Sequence, residues 1–139
     1  SQQGKVPAGV VSHSLQSLVD FSPTFLSAAG IPVPLPMTGI DQTDVWYGRR
    51  ETIREHVLVE NHHNPGSVHV RTYIDDRYKL TVYHKQDYGE LFDLEADPQE
   101  IDNLWDSPAA GHLKNELMRN LVFAEMAKEP VPMPRIAGA

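Results

Sequence analysis

The sequence predicts an α+β fold: a small antiparallel sheet of about four strands packed against a long C-terminal amphipathic helix, with an N-terminal helix and extended Pro-rich segments around them. Two patterns carry this. Residues 68 to 74 and 78 to 83 alternate in polarity with period two on either side of Asp75-Asp76, the mark of a hairpin. Leu113, Leu117 and Leu121 then recur at helical spacing, which gives the sheet a cover. With 139 residues, 40% hydrophobic and 22% charged, the chain is long enough and apolar enough for one domain with a modest core.

Taken in order, residues 20 to 30 read as a short helix. Asp20 can cap it, Pro23 sits in the first turn where its missing N–H costs nothing, and Gly30 can adopt the left-handed stop. Phe21, Phe25 and Ala28 are expected to mark its buried face. Residues 31 to 52 lack periodicity and read as a long loop with a turn of helix near Trp46. Pro32, Pro34 and Pro36 make its start extended.

Residues 56 to 60 form an apolar run suited to a buried strand, followed by a polar loop over residues 61 to 66. The hairpin comes next, then a further antiparallel strand over residues 90 to 94 after a turn around Tyr88-Gly89. Asp97, Pro98 and Glu100 have the form of a capping box and predict a helical turn. Ser107-Pro108 repeats the start signal for the last helix, where Ala110, Met118, Val122 and Ala124 join the leucines through about Lys128. The organisation expected is residues 1–55 as a helix and loop that join or pack on another domain, 56–128 as the sheet-plus-helix subdomain, and 129–139 as an extended Pro-rich tail. The opening Ser1-Gln2-Gln3, without Met or apolar leader, reads as a truncated or artificial start.

Composition excludes several roles. A net charge of −7 without a Lys/Arg cluster argues against nucleic acid or an anionic membrane as partner. With no cysteine there is no disulfide, no thiolate nucleophile and no Cys-type zinc site. No stretch is long and apolar enough to span a bilayer.

The chemistry-bearing residues are histidines. Of seven, His62 and His63 with His69 and His56 form the densest group. Their spacing is poor for zinc, because neighbours on a strand point to opposite faces and zinc needs three or four convergent ligands. Two readings stay open, solvated loop histidines or a substrate-contacting loop whose ring nitrogens donate to an anionic oxygen. Arg71 and Lys79 on the hairpin can bind an anion or line the solvated face. Asp75-Asp76 is a turn rather than a calcium site. No G-x-S-x-G elbow, no Ser beside an ordered His/Asp pair and no phosphate loop is present.

Several of these pieces, in order, resemble the C-terminal part of type I sulfatases, the formylglycine-dependent members of the alkaline phosphatase superfamily. The opening Gly4-Lys5-Val6-Pro7 is similar to the segment after that family's last central catalytic stretch. Val19-Asp20-Phe21, Pro23-Thr24 and Ala29-Gly30-Ile31 are similar to its helix. Val70-Arg71-Thr72 with Tyr78-Lys79-Leu80 resembles its hairpin, and Glu90-Leu91-Phe92-Asp93-Leu94 with Asp97-Pro98, Glu100 and Asn103-Leu104 resembles the strand-and-turn that follows. The resemblance runs over residues 4 to 128.

It implies a sulfuric ester hydrolase as the parent, with a formylglycine nucleophile and calcium, neither of them held by this chain. The catalytic motif and the metal-binding segment of the family have no counterpart here, so no catalytic or metal residue carries over. By analogy the subdomain packs on a missing N-terminal catalytic domain, is inactive alone, and borders the substrate pocket. His62, His63, Asn64 and Arg71 are the substrate-binding candidates. The tail could pack on that domain or reach a second copy in a homo-oligomer. A related phosphonate or phosphodiester hydrolase shares the architecture, and a non-catalytic binding or oligomerisation module is the alternative of a different class.

Overall fold

A computed structural model describes residues 4–35, 37–63 and 68–128. Four strands, β1 (Val57–His62), β2 (His69–Ile74), β3 (Tyr78–Tyr83) and β4 (Gly89–Asp93), form one antiparallel meander in the order β1-β2-β3-β4. Each strand pairs with its neighbour in sequence, so every connection is local. Helices α1 (Phe21–Ala28) and α2 (Thr43–Trp46) precede the sheet, and the long helix α3 (Gly111–Ala127) follows it. No helix among the described residues is long and apolar enough to cross a membrane.

The register places Tyr73 opposite Leu80, and Leu80 opposite Leu91, so three apolar side chains line up across β2, β3 and β4 on one face. Helix α3 lays Leu117, Leu121 and Ala124 onto that line, with Ala110 at its start. Leu80 and Leu91 are wholly buried, each worth roughly 1.5–3 kcal/mol by transfer from water. Leu58, Tyr78, Val82, Leu104, Trp105, Leu113 and Met118 pack around this cluster. On the opposite face Thr72 and Thr81, also cross-strand partners, are buried with their hydroxyls 3.0 Å apart. Val122, expected on the covered side of α3, is instead 52% exposed beside Phe123 and Met126. The stripe that Leu117, Leu121 and Ala124 define faces the sheet, and Val122 lies one residue past it around the helix.

Helix α1 also departs from expectation. Phe21 and Phe25 are exposed, and its buried residues are Pro23 and Thr24. The reason lies in polar groups. The Thr24 hydroxyl donates to the Asp20 carbonyl at 2.6 Å and accepts the Gln42 N–H at 2.9 Å. The Asp20 side chain does not cap α1; it accepts N–H groups from Ser17 and Ile40 and pairs with Arg54. These buried bonds fix the helix by its polar side and leave the phenyl rings outward. Gly30 takes the expected left-handed stop, with φ of 73°.

Where the sequence predicts a helical turn at Asp97, the chain makes one hydrogen-bonded turn, the Glu100 N–H donating to the Asp97 carbonyl at 3.1 Å, and no helix. Glu100 has φ of 57°, which ends any helix there, and the Asp97 carboxylate closes a turn by accepting the N–H groups of Ile101 and Asp102. The left-handed residue turns Glu100 back onto Lys79 of β3. The tail from residue 129 onward lies outside the described residues.

Candidate functional site

The candidate residues sit at one end of the sheet, past the C-terminus of α3. His62 ends β1 and is the cross-strand partner of His69. The His63 N–H donates to Val68 and makes that pair hydrogen-bonded, so His62/His69 is the adjoining non-hydrogen-bonded pair, in which side chains stand closest. Their rings stack with centroids 4.3 Å apart. His84, just beyond β3, donates its N–H to the His69 carbonyl and sets its ring 4.7 Å from that of His69. Three imidazoles from adjacent strands thus form a row on the face that α3 covers further along.

Of the other candidates, the pleat puts His63 on the opposite face from His62, and Asn64 lies outside the described residues. His56 is remote from the row and stacks on Tyr73 at 5.3 Å. Burial, with the neighbouring Arg54, lowers the His56 pKa. Partial desolvation lowers that of His69, helped by His62, His84 and Arg71. His69, the middle member, therefore favours its neutral form.

Arg71 lies two residues along β2 from His69, on the same face, and its guanidinium stands 3.6 Å from Glu60 and 3.4 Å from Glu125. Lys128 bridges the same two carboxylates. Two cations and two anions thus tie the end of α3 to β1 and β2. The Lys128 bond is the main cause that holds the Glu60 carboxyl below its usual range. Lys79, the other hairpin cation, is committed to Glu100.

His84 is the member that inspection of sequence neighbours misses. It was recoverable by counting outward from the Asp75-Asp76 turn, since Ile74 opposite Lys79 carries His69 to His84.

A second surface lies on α1. Phe21, Phe25 and Trp46 form an aromatic cluster with centroids 5.6–5.9 Å apart. Phe25 is 60% exposed and neighbouring Leu18 82%. Between the segment before α1, the loop after it, β1 and the end of α3 runs an open groove of about 900 Å³, with Val19, Met37, Ile40 and Val59 on its walls.

Among the described residues no side-chain set fits calcium or a formylglycine precursor. Asp20 and Asp93 are committed to Arg54 and Arg77, and Asp97 to backbone N–H groups. No group of three or more acidic, His or Cys side chains among the described residues is placed to hold a metal ion. The chain has no cysteine to mature, and Ser22 and Ser107 are spent within or before helical turns.

Residues 2–127 match the family described as N-sulphoglucosamine sulphohydrolase, C-terminal. The N-acetylglucosamine-6-O-sulfatase of Bacteroides thetaiotaomicron is 29% identical over 123 residues, which cover 84% of this chain and 22% of that protein. A protein solved in complex with its substrate D-glucosamine-2-N,6-O-disulfate superposes with a TM-score of 0.71 at 25% identity, over 78% of this chain and 24% of its own. A phosphonate monoester hydrolase from Silicibacter pomeroyi superposes at 0.67 with 19% identity, over 80% of this chain and 25% of its own, a likeness of fold alone. The chain spans about a fifth of the length of the curated relative it matches.

Proposed function

The chain belongs to the N-sulphoglucosamine sulphohydrolase C-terminal family, and from that premise we propose that it serves as the C-terminal subdomain of a sulfuric ester hydrolase acting on a sulfated amino sugar, inactive on its own. The nucleophile and the calcium ion belong to a catalytic domain outside these residues. Helix α1 packs on that domain, and the loop of His62, His63 and Asn64, with Arg71 behind it, borders the substrate pocket.

The observation that carries this reading is the outward aromatic face of α1. A helix fixed by buried hydrogen bonds of Asp20 and Thr24 presents Phe21 and Phe25 to water, and an exposed aromatic patch marks a surface built to be covered. The amino-sugar substrate rests on the printed activities of the relatives. Imidazole and carboxamide groups supply the hydroxyl-reading hydrogen bonds such a sugar needs.

The purified chain should show no turnover of para-nitrophenyl sulfate or of N-acetylglucosamine 6-sulfate, with or without calcium; hydrolysis above a buffer blank would overturn the reading. In a longer parent protein, His62→Ala should raise KM for the sugar sulfate while leaving para-nitrophenyl sulfate turnover within twofold. Equal loss on both substrates would remove the loop from the pocket. The shared fold with a phosphonate monoester hydrolase favours a second reading, phosphonate ester hydrolysis. A parent that turns over phenyl phosphonate esters faster than sulfate esters would select it.

A further inference from the structure

The row His62–His69–His84 is more ordered than a solvated surface needs. The His62 and His69 rings stack at 4.3 Å and the His84 ring lies tilted by 38° at 4.7 Å from His69, in a register set by backbone bonds on both sides. Residues directly opposite on paired strands hold their Cβ atoms about 4.5–5.5 Å apart. Two imidazoles on such a footing can turn about χ1 and χ2 between staggered wells until a nitrogen of each meets one ion. As they stand, with His62 stacked on His69 and His84 tilted against it, the three rings do not form a metal-holding group, so such a rotation is required. Exposure of His62 and His84 leaves room for it and for waters to complete the coordination.

Charge and protonation agree with a cation. Desolvation, the flanking histidines and Arg71 together disfavour a proton on His69, and the neutral imidazole is the form that binds a metal. Arg71, the nearest fixed cation on the same face, is answered by Glu60 and Glu125. The chain as a whole carries −7. Imidazole donors without thiolate suit zinc, nickel or copper rather than calcium or magnesium.

We propose that the cross-strand row His62–His69–His84 binds a divalent transition-metal ion through at least two imidazoles, with His69 the shared ligand. The site shares His62 with the proposed substrate loop, but the binding it predicts in the isolated chain requires neither the sulfatase reading nor calcium in a catalytic domain.

The test is calorimetric titration of the 139-residue chain with Zn²⁺ and, separately, Ni²⁺ at slightly alkaline pH, with Ca²⁺ as the hard-cation control. One equivalent of Zn²⁺ or Ni²⁺ should bind, and Ca²⁺ should not. His69→Ala should weaken binding at least tenfold, and His112→Ala, on α3, should leave it unchanged. Should His69→Ala unfold, as read by circular dichroism, the His62→Ala/His84→Ala pair serves instead, with the same expected loss. Ni²⁺ should also broaden the His62, His69 and His84 ring proton resonances before those of His13, His56 or His112. Absence of binding, affinity unaltered in the row variants, or first broadening at another histidine would each overturn the site.

Discussion

Arg54 grips Asp20 with two nitrogens, Nε at 2.8 Å and Nη2 at 2.5 Å, across 34 residues of chain. The carboxylate is 2% exposed and the guanidinium 12%. Around them Ser17 and Ile40 donate backbone N–H groups to the same carboxylate. One buried ion pair therefore joins the segment before α1, the loop after it and the approach to β1. A buried pair is retained against a large desolvation penalty, so losing one partner matters more than forming the pair gains.

Arg54→Met should accordingly destabilise the fold by roughly 3–5 kcal/mol, since it strands a buried carboxylate. Urea unfolding reads this as a lower midpoint at unchanged slope. A change below about 1 kcal/mol would mean that water reaches Asp20 and the pair is a surface one.

The same pair sets an acid limit. Burial by itself would raise the Asp20 carboxyl, but the Arg54 bond and the Ile40 and Ser17 N–H groups outweigh it and hold the pKa below its unfolded value of 3.8. A depressed carboxylate contributes stability that is full above the unfolded pKa and is lost as pH falls through the folded one. Melting temperature should therefore fall steeply with acid below that value, and Asp20→Asn should flatten the fall. Parallel curves for the two proteins would assign the acid transition to other carboxylates.

Gly89 opens β4 beneath the Trp105 ring, where an added Cβ would come within 2.4–2.5 Å of three ring carbons. Its carbonyl accepts from Asn103 Nδ2, and Asn103 Oδ1 accepts the N–H groups of Leu91 and Trp105. The indole Nε1–H donates to the Asp87 carbonyl at 3.0 Å, which holds the ring in place so that it cannot yield cheaply. Gly89→Ala should cost roughly 1–3 kcal/mol by overpacking, with a shift in Trp105 emission. Unchanged stability would show that the indole swings aside.

Where the chain's pattern repeats over many residues, it was legible. Period two in residues 69 to 83 and the leucine spacing of α3 each sum several burial choices of the same sign, so the sheet and its cover follow from them. Single positions were less so. Phe21 and Phe25 read as a buried face because apolar residues usually are, but Thr24 and Asp20 outbid them with buried hydrogen bonds to Gln42, Ile40 and Arg54. Asp97 to Glu100 has the residues of a capping box, but the Asp97 carboxylate accepts the N–H groups of Ile101 and Asp102, beyond a left-handed Glu100. At the candidate site His62 and His69 were visible as a group, whereas His84 enters only through strand register, a long-range fact that local spacing does not carry.

The bridges at the end of α3 should behave differently from the Asp20 pair. Glu60 is 46% exposed and Arg71 31%, so solvent screens both. Lys128→Met should change stability by no more than about 1 kcal/mol, and the change should vanish in molar salt. Its mark should instead be faster amide exchange in the last turn of α3, since the Lys128 links to Glu60 and Glu125 are removed together. Exchange no faster than in the unaltered chain would make the network ornamental.

The aromatic face of α1 yields the last expectation. Phe21, Phe25 and Trp46 contact one another, but Phe25 keeps 60% of its surface in water. Exposed aromatic surface of this kind favours association with whatever apolar surface is at hand. With these rings uncovered the chain should self-associate as concentration rises, seen as a growing sedimentation coefficient. Phe25→Asp should abolish this with little loss of melting temperature, because the ring it removes is mostly solvated while Asp20, Thr24 and Gln42 still anchor the helix. If the unaltered chain stays monomeric at high concentration, the rings are not the docking face of α1. If Phe25→Asp unfolds the chain, the rings are core rather than interface, and the helix is held by its apolar side after all.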